Sequence, residues 1–188
     1  MKELSLNLLD IAENSVKAGA TLTQLLLTEE DGVLTFQVVD DGCGMTEEVL
    51  RGVTDPFYTT RTTRAVGLGL PLLRMAAEQT EGDMQVTSKH KDAHPDDHGT
   101  TVTAVFHTDH IDCPPLGDLT ATVTTLIQGH PDTDFLFRHR LSDGRTVELD
   151  TRQLREILGE VSLAEFEVLQ WISGFLSDQY TAQESCDE

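Results

Sequence analysis

Three segments of the chain gather side chains and backbone groups that could hold a phosphorylated ligand and its metal ion. The segments are DIAENSVK (10–17), DDGCGM (40–45) and RTTRAVGLGL (61–70). An asparagine oxygen suits Mg²⁺, a hard cation that prefers oxygen ligands, and lysine or arginine suits phosphate. Glycines at the start of a helix leave backbone amides free to bind an anion. Each segment alone is weak evidence for such a binding site, because glycines in DGCG or GLGL form turns in most proteins.

The balance of charge indicates which partners are compatible with this chain. Its 188 residues include 33 acidic and 13 basic residues, which gives a formal net charge of −20. An acidic surface repels phosphate backbones, so we expect a protein partner, with a homodimer as a second option, and no nucleic acid. Three of the few cations, Lys17, Arg61 and Arg64, lie within the segments above, which favours a local phosphate site.

Composition narrows the class of protein further. No apolar run approaches the ~20 residues needed to cross a bilayer, and the N-terminus has no secretory signal, so we expect a cytoplasmic protein without a membrane partner. Three widely separated cysteines argue against a disulfide framework or a zinc site. The cluster of His90, His94 and His98 surrounds Pro95, and a solvated loop is a better interpretation of it than a metal site.

Hydrophobic spacing predicts the elements that must position these segments. Apolar residues such as Leu8 and Ala12 recur at helical spacing, whereas Asp10, Asn14 and Lys17 share another stripe of the same helix. Gly19 ends that helix, and the acidic turn EEDG joins two strands. The predicted elements are a helix over 3–18, strands over 21–28 and 33–39, a short helix over 46–52, a mobile loop over 53–66, a helix over 67–80, and strands over 83–88 and 100–107.

The remaining residues, 110–188, form a predicted extension with elements of its own. We expect a helix ending at Gly129, a hairpin over 135–149, a helix that Asp150 caps, and a last helix. Ser162 and Glu165 have the spacing of a capping box for that last helix. Its predicted apolar stripe consists of Phe166, Leu169, Ile172 and Leu176. The sequence thus predicts one domain over 1–109 and an α+β extension over 110–188, with a disordered tail over 180–188.

The order and spacing of the segments, closed by GTTVTAVF (99–106), resemble the ATP-binding motifs of the GHKL superfamily, which unites gyrase, heat-shock chaperone, histidine kinase and MutL ATPases. The resemblance covers about residues 3–107. It implies a mixed α/β fold, namely an α+β two-layer sandwich. It also implies a Bergerat pocket that binds ATP and Mg²⁺. The first segment is similar to the MutL form of the family's N-box.

The resemblance assigns roles to the first segment. Asn14 stands at the position of the Mg²⁺ ligand, and Lys17 stands where related kinases place a cation against the phosphates. Asp10 takes the position of the catalytic acid, where hydrolytic relatives usually carry the longer glutamate. A misplacement near 1 Å costs ~10²-fold in rate, so we expect slow or partner-dependent hydrolysis. Glu13, about a quarter-turn away, is a second candidate base.

The second segment corresponds to the family's adenine-binding box. Asp40 would accept a hydrogen bond from the adenine amino group, which favours ATP over GTP because guanine presents a carbonyl there. Gly42 and Gly44 would let the backbone approach the base. Met45 either lies along the adenine or packs in the core. We assign Asp41 no role beyond the turn.

The third segment resembles the lid and the second glycine box of histidine kinases. Arg61 and Arg64 are candidate phosphate contacts, with a solvated basic loop as the alternative. Helix formation at the glycine box would direct backbone amides to the phosphates. The box residues concerned are Gly67, Leu68, Gly69 and Leu70. Thr100 or its neighbour Thr101 should hydrogen bond the adenine-side carboxylate or a water.

Three functions fit this reading. The first is a small protein kinase acting in trans on a partner, serine- or histidine-kinase-like, because the lid is kinase-like and we find no phosphoacceptor domain in the chain. The second is a slow ATP-gated switch or clamp, which the MutL-like N-box favours. The third is a nucleotide sensor without chemistry, which Asp10 favours.

Overall fold

A six-stranded sheet organises the chain, whose computed structural model describes residues 3–54 and 69–182. The strands take the spatial order β3-β4-β2-β1-β5-β6. Neighbouring strands are antiparallel, except that β5 runs parallel to β1. The strands are β1 (Leu22–Glu30), β2 (Val33–Asp40), β3 (Asp83–Lys89), β4 (Gly99–His107), β5 (Asp134–Arg140) and β6 (Thr146–Asp150).

Helices form the second layer. In this layer α3 contacts α1, α1 contacts α4, and α4 contacts α6, while the short helix α5 contacts β5. Within the described ranges, no helix combines the length and apolar character that crossing a bilayer requires. The helices are α1 (Leu4–Lys17), α2 (Glu47–Thr54), α3 (Gly69–Gln79), α4 (Leu119–Gly129), α5 (Thr151–Leu158) and α6 (Phe166–Thr181).

Buried and partly exposed residues alternate along the strands, and the buried ones form the face of the sheet on which the helices pack. In β1 and β2 every second residue is buried, and the register places Leu25 opposite Val38 and Leu27 opposite Phe36. Residues two apart in a strand share one face of the sheet, so these side chains form one apolar surface. One face of α1, including Leu8, covers it. The hairpin and first helix predicted from the sequence are therefore present at nearly the predicted bounds.

The extension continues the sheet of the N-terminal region. Pairing of β5 with β1 runs from Leu22 opposite Asp134 to Thr28 opposite Arg140. Phe135 and Phe137 of β5 are almost completely buried in the common core. Residues on either side of the predicted boundary at 109 thus share one sheet and one core.

A buried polar network attaches α6 to the sheet. His139 of β5 lies 3.0 Å from Glu29 through Nε2 and 2.9 Å from the Tyr180 hydroxyl through Nδ1. Burial lowers the pKa of His139 and outweighs the opposite effect of Glu29, which favours the neutral imidazole. In that form Nε2–H donates to Glu29 and Nδ1 accepts from Tyr180.

The start and end of α6 differ from the sequence-based expectation. The predicted capping box is wrong, because α6 begins at Phe166 and Glu165 makes no side-chain capping bond. Ser162 instead accepts a hydrogen bond from the Ala164 amide, in a turn before the helix. Phe166 does not belong to the buried stripe, since it is 71% exposed. The predicted tail also begins too early, because Tyr180 is still helical.

Shared packing predicts that residues 1–112 do not fold alone. This fragment would expose the β1 edge that β5 pairs and the surface of α1 that α4 covers. We expect it to lack the cooperative thermal unfolding of the full chain, measured by circular dichroism. A fragment that unfolds cooperatively at the midpoint of the full chain would contradict this expectation.

Candidate functional site

A cavity of about 260 Å³ lies between α1, the end of β2 and the start of α3. Seven residues predicted from the sequence line it together: Asn14, Lys17, Asp40, Gly44, Met45, Leu70 and Thr100. The wall is completed by Ile11, Ser15, Ala18, Cys43 and Val102. The structure therefore brings the first two predicted segments and Leu70, the last residue of the third, to one place.

The carboxylate of Asp40 is held in a fixed orientation at this cavity. Its Oδ2 accepts a hydrogen bond of 2.7 Å from the Ser15 hydroxyl, and its Oδ1 accepts one of 2.9 Å from the Gly42 amide. Ser15 is buried on α1, so the first bond joins the helix to the end of β2. A carboxylate has about four lone-pair sites, so acceptor capacity remains for a ligand donor.

Of the alternatives predicted for Thr100 and Thr101, a hydrogen bond from Thr100 to the Asp40 carboxylate does not form, and a bond to water stays a prediction. Asp40 and Thr100 are register partners on β2 and β4, yet the Thr100 hydroxyl lies 2.9 Å from the Ser88 hydroxyl on β3. Ser88 also accepts a hydrogen bond from the Met45 amide at 2.8 Å. Asp40 already accepts from Ser15, and Thr100 instead supports the loop that carries Met45. Thr100 nevertheless lines the cavity, as predicted.

Gly44 meets a steric constraint that the sequence did not indicate. Its φ is +67°, and a Cβ there would overlap the backbone carbonyl of Lys89. The neighbouring Cys43 donates its amide to Ala18 and accepts from the Lys91 amide, both at 2.9 Å. The glycine-rich turn is thus fixed between α1 and the end of β3, and the close approach is to protein backbone.

Asp10 and Gly69 meet at the edge of the cavity. A Cβ on Gly69 would lie 3.3 Å from the Cβ of Asp10 and 3.6 Å from its Oδ2. Asp10 is exposed, and it therefore lies beside the first residue of α3. Neither residue lines the cavity, and neither does Gly42. The predicted contacts Arg61, Arg64, Gly67 and Leu68 fall outside the described residues, so their roles stay predictions.

Asn14 and Lys17 leave their functional groups available at the cavity. Within residues 3–54 and 69–182, neither the Asn14 amide side chain nor the Lys17 ammonium makes a hydrogen bond or ion pair. Glu13, the second candidate base, behaves differently, since its Oε1 lies 2.8 Å from Nε2 of His130 in the extension. These positions on one helix combine an amide oxygen and a cation, which suits a metal-bound phosphate.

The sequence did not indicate two other residues that contribute to the site. Ser15 lines the cavity beside Ile11 and Ala18, which lie four residues before it and three residues after it on the same side of α1. Nδ1 of His98 lies 2.6 Å from the Gly42 carbonyl, so this residue supports the turn. In the part of the chain that the structure describes, no three histidine, cysteine or acidic side chains gather as a metal site.

Asp41 also has a role that the sequence reading missed. Its carboxylate accepts hydrogen bonds from the Thr21 amide at 2.7 Å, the Leu22 amide at 3.0 Å and the Thr21 hydroxyl. Partial burial acts to raise the pKa of Asp41, but these hydrogen bonds outweigh it and hold the pKa below its ordinary value. Asp41 therefore ties the start of β1 to the turn after β2.

Comparison with known proteins places the chain in a family. It belongs to the family described as histidine kinase-, DNA gyrase B- and HSP90-like ATPase, whose model matches residues 1–110. This membership confirms the GHKL resemblance, and the chain contains an ATP-binding domain of that superfamily.

Similar proteins include several sensor kinases. Sporulation kinase A of Bacillus subtilis is 31% identical over 96 residues, which cover 51% of this chain and 15% of that kinase. Sensor protein KdpD of Clostridium acetobutylicum is 28% identical over 94 residues, covering 47% of this chain and 10% of that protein. The chain therefore matches only a small part of the length of these relatives.

Among solved structures, the ATPase domain of Aquifex aeolicus MutL, complexed with ADP, is similar in fold. The TM-score is 0.53 at 12% identity, and the match covers 84% of this chain and 69% of that chain. This likeness confirms the predicted fold class, a mixed α/β architecture of the GHKL type.

Removal of the Asp41 carboxylate tests its role in holding the turn. We expect Asp41→Ala to lower the free energy of unfolding by about 1–2 kcal/mol, because three hydrogen bonds to one charged acceptor are lost. At this chain length the melting temperature should fall by about 3–6 °C. Asp96→Ala, in an exposed loop, is the matched control.

The pH dependence of that difference follows from the lowered pKa. The folded-state pKa of Asp41 lies below the unfolded value, so its stabilisation is complete above the unfolded pKa and disappears as pH falls through the folded pKa. The difference between wild type and Asp41→Ala should therefore narrow below about pH 4. A constant difference from neutral to strongly acid pH would exclude the assigned role.

Proposed function

We propose that this chain binds Mg·ATP in the cavity and acts as a small protein kinase in trans on a partner protein. The observation that supports the proposal is the orientation of Asp40 by Ser15 and Gly42, in a cavity that Asn14 and Lys17 also line. The lining thus combines a fixed hydrogen-bond acceptor with a cation and an amide oxygen. Those groups match a purine with an amino group at one end and phosphates at the other.

Asp40 gives the proposed site its preference for adenine. Both of its oxygens are oriented by donors of the protein, so the remaining lone pairs have defined directions. An amino group of the base can donate to them, whereas the carbonyl of guanine would face a carboxylate without a proton between them. The apolar side chains of Ile11, Met45 and Val102 would contact the ring.

Asn14 and Lys17 would hold the metal and the phosphates. The donor set fits Mg²⁺, because the Asn14 side chain lines the cavity and forms no hydrogen bond with any described residue. When bound, Mg²⁺ would neutralise part of the phosphate charge. Lys17 would add a point charge against the same group. Gly69 allows the start of α3, with its free backbone amides, to lie close to Asp10.

Asp10 would act on the attacking group. Its exposed carboxylate lies beside the start of α3 and reaches one methylene less far than glutamate. We therefore propose weak activation of water, which limits hydrolysis and leaves the γ-phosphate for a hydroxyl or imidazole of a partner. The acidic composition supports a protein as that partner.

An ATP-gated switch is the second candidate, favoured by the contact between Glu13 and His130. This bond joins α1, which carries Asn14 and Lys17, to the extension. The fate of a labelled γ-phosphate distinguishes the candidates: label on a partner indicates a kinase, free phosphate indicates a slow switch, and unchanged ATP indicates a sensor. Nucleotide-dependent dimerisation would favour the switch.

Calorimetric titration tests the binding site itself. We expect wild type to bind Mg·ATP, and Asp40→Asn to weaken binding by about 10–100-fold, because a hydrogen bond to a charged group is worth about 1.5–3 kcal/mol. Mg·GTP should bind wild type more weakly by a similar factor. Asp96→Asn serves as the control. Equal affinity of wild type and Asp40→Asn for Mg·ATP would refute the proposed adenine contact.

A further inference from the structure

The contact between Glu13 and His130 joins two parts of the chain that are 117 residues apart. Glu13 lies on α1, and His130 caps the C-terminus of α4 in the extension. Their side chains are 32% and 26% exposed, so both are largely shielded from solvent. The His130 backbone is fixed as well, since its amide donates to the Leu126 carbonyl at 3.0 Å and its carbonyl accepts from the Thr133 amide.

Glu13 also has a competing partner on its own helix. Residues four apart on a helix lie one above the other, and a glutamate placed N-terminal to a lysine at this spacing forms a favourable pair. Glu13 and Lys17 have that spacing and order. In the structure Glu13 takes His130 instead, and none of the carboxylates in the described ranges lies within ion-pair distance of Lys17.

The choice of partner matters because Lys17 lines the cavity. An ammonium already paired with a carboxylate has less of its charge and fewer of its three donors available for a phosphate. A carboxylate freed from His130 would also bring negative charge toward the phosphates. Both effects would weaken phosphate binding, and both depend on where the Glu13 side chain points.

We propose that His130 is a positioning residue, which holds the Glu13 carboxylate away from Lys17 and so keeps the Lys17 ammonium available to the phosphates of the nucleotide. The inference rests on the proposed function, because it assumes that Lys17 contacts phosphate. It gives the extension a direct influence on phosphate affinity through one side-chain hydrogen bond.

A purely structural role of the contact between Glu13 and His130 would give a different result in mutants. If the bond only anchors α4 to α1, removing Glu13 or His130 lowers the stability of the fold. Removing Glu13 in addition to His130 then does not restore the affinity for Mg·ATP. If His130 controls the direction of Glu13, loss of His130 should weaken phosphate binding only while the Glu13 carboxylate is present.

A double-mutant cycle separates the two roles. Affinities for Mg·ATP and for adenosine, which has no phosphate, are measured by calorimetry at one fixed pH. We expect His130→Ala to weaken Mg·ATP binding about two- to threefold, the size of a surface ion pair at this spacing, and to leave adenosine binding unchanged. In the Glu13→Gln background, the same His130→Ala change should have no effect. His130→Gln, which can still donate to Glu13, should retain the wild-type affinity.

Other results would overturn either the positioning role of His130 or the proposed function itself. Equal Mg·ATP affinity of wild type and His130→Ala, or the same loss in both backgrounds, overturns the positioning role while the proposed function stands. No loss of Mg·ATP affinity in Lys17→Ala overturns the phosphate role of Lys17, and the inference with it. Failure of wild type to bind Mg·ATP overturns the proposed function as well. If His130→Ala does not fold, a loss of affinity in the folded His130→Gln overturns the positioning role.

Discussion

Packing of α1 across the β1–β2 hairpin positions both the hydrophobic core and the cavity. One face of this helix is buried against the sheet, so the opposite face must present Asp10, Asn14 and Lys17 outward. Ser15 lies at the boundary between the two faces, and its hydroxyl reaches Asp40 at the end of β2. The core and the cavity are therefore positioned by the same helix, and a shift in its packing would move every group of the proposed site.

The extension stabilises that arrangement from the other side. Strand β5 pairs with the edge of β1, α4 packs on α1, and the His139 network holds α6 on the sheet. In the described residues the cavity wall contains no residue from the extension, but the contact between His130 and Glu13 links the extension to the helix that carries Asn14 and Lys17. In the proposed function, a partner that moved α4 would change the proposed phosphate contacts of Lys17 without touching the nucleotide.

Elements and site residues that depend on local sequence patterns were predicted better than contacts between segments that are distant in the chain. The helix over 4–17 and the hairpin after it follow from hydrophobic spacing, and Asp40 and Asn14 follow from motif spacing. The pairing of β5 with β1 joins segments about 110 residues apart, which no local pattern specifies. The contact of Thr100 with Ser88 was not predicted, because it depends on the pairing of β3 with β4 and on Ser15 of α1 already donating to Asp40. The capping box failed because Ser162 and Glu165 satisfied the spacing but belong to a turn before α6.

We propose that the Asp40 carboxylate binds the amino group of adenine, and a thermodynamic cycle with two nucleosides tests this contact. Wild type and Asp40→Ala are each titrated with adenosine and with purine riboside, which lacks that amino group. The account predicts that loss of the amino group weakens binding to wild type about 10–100-fold and does not weaken binding to Asp40→Ala further. Equal losses in the two proteins would show that Asp40 and the amino group do not interact, and would contradict the account.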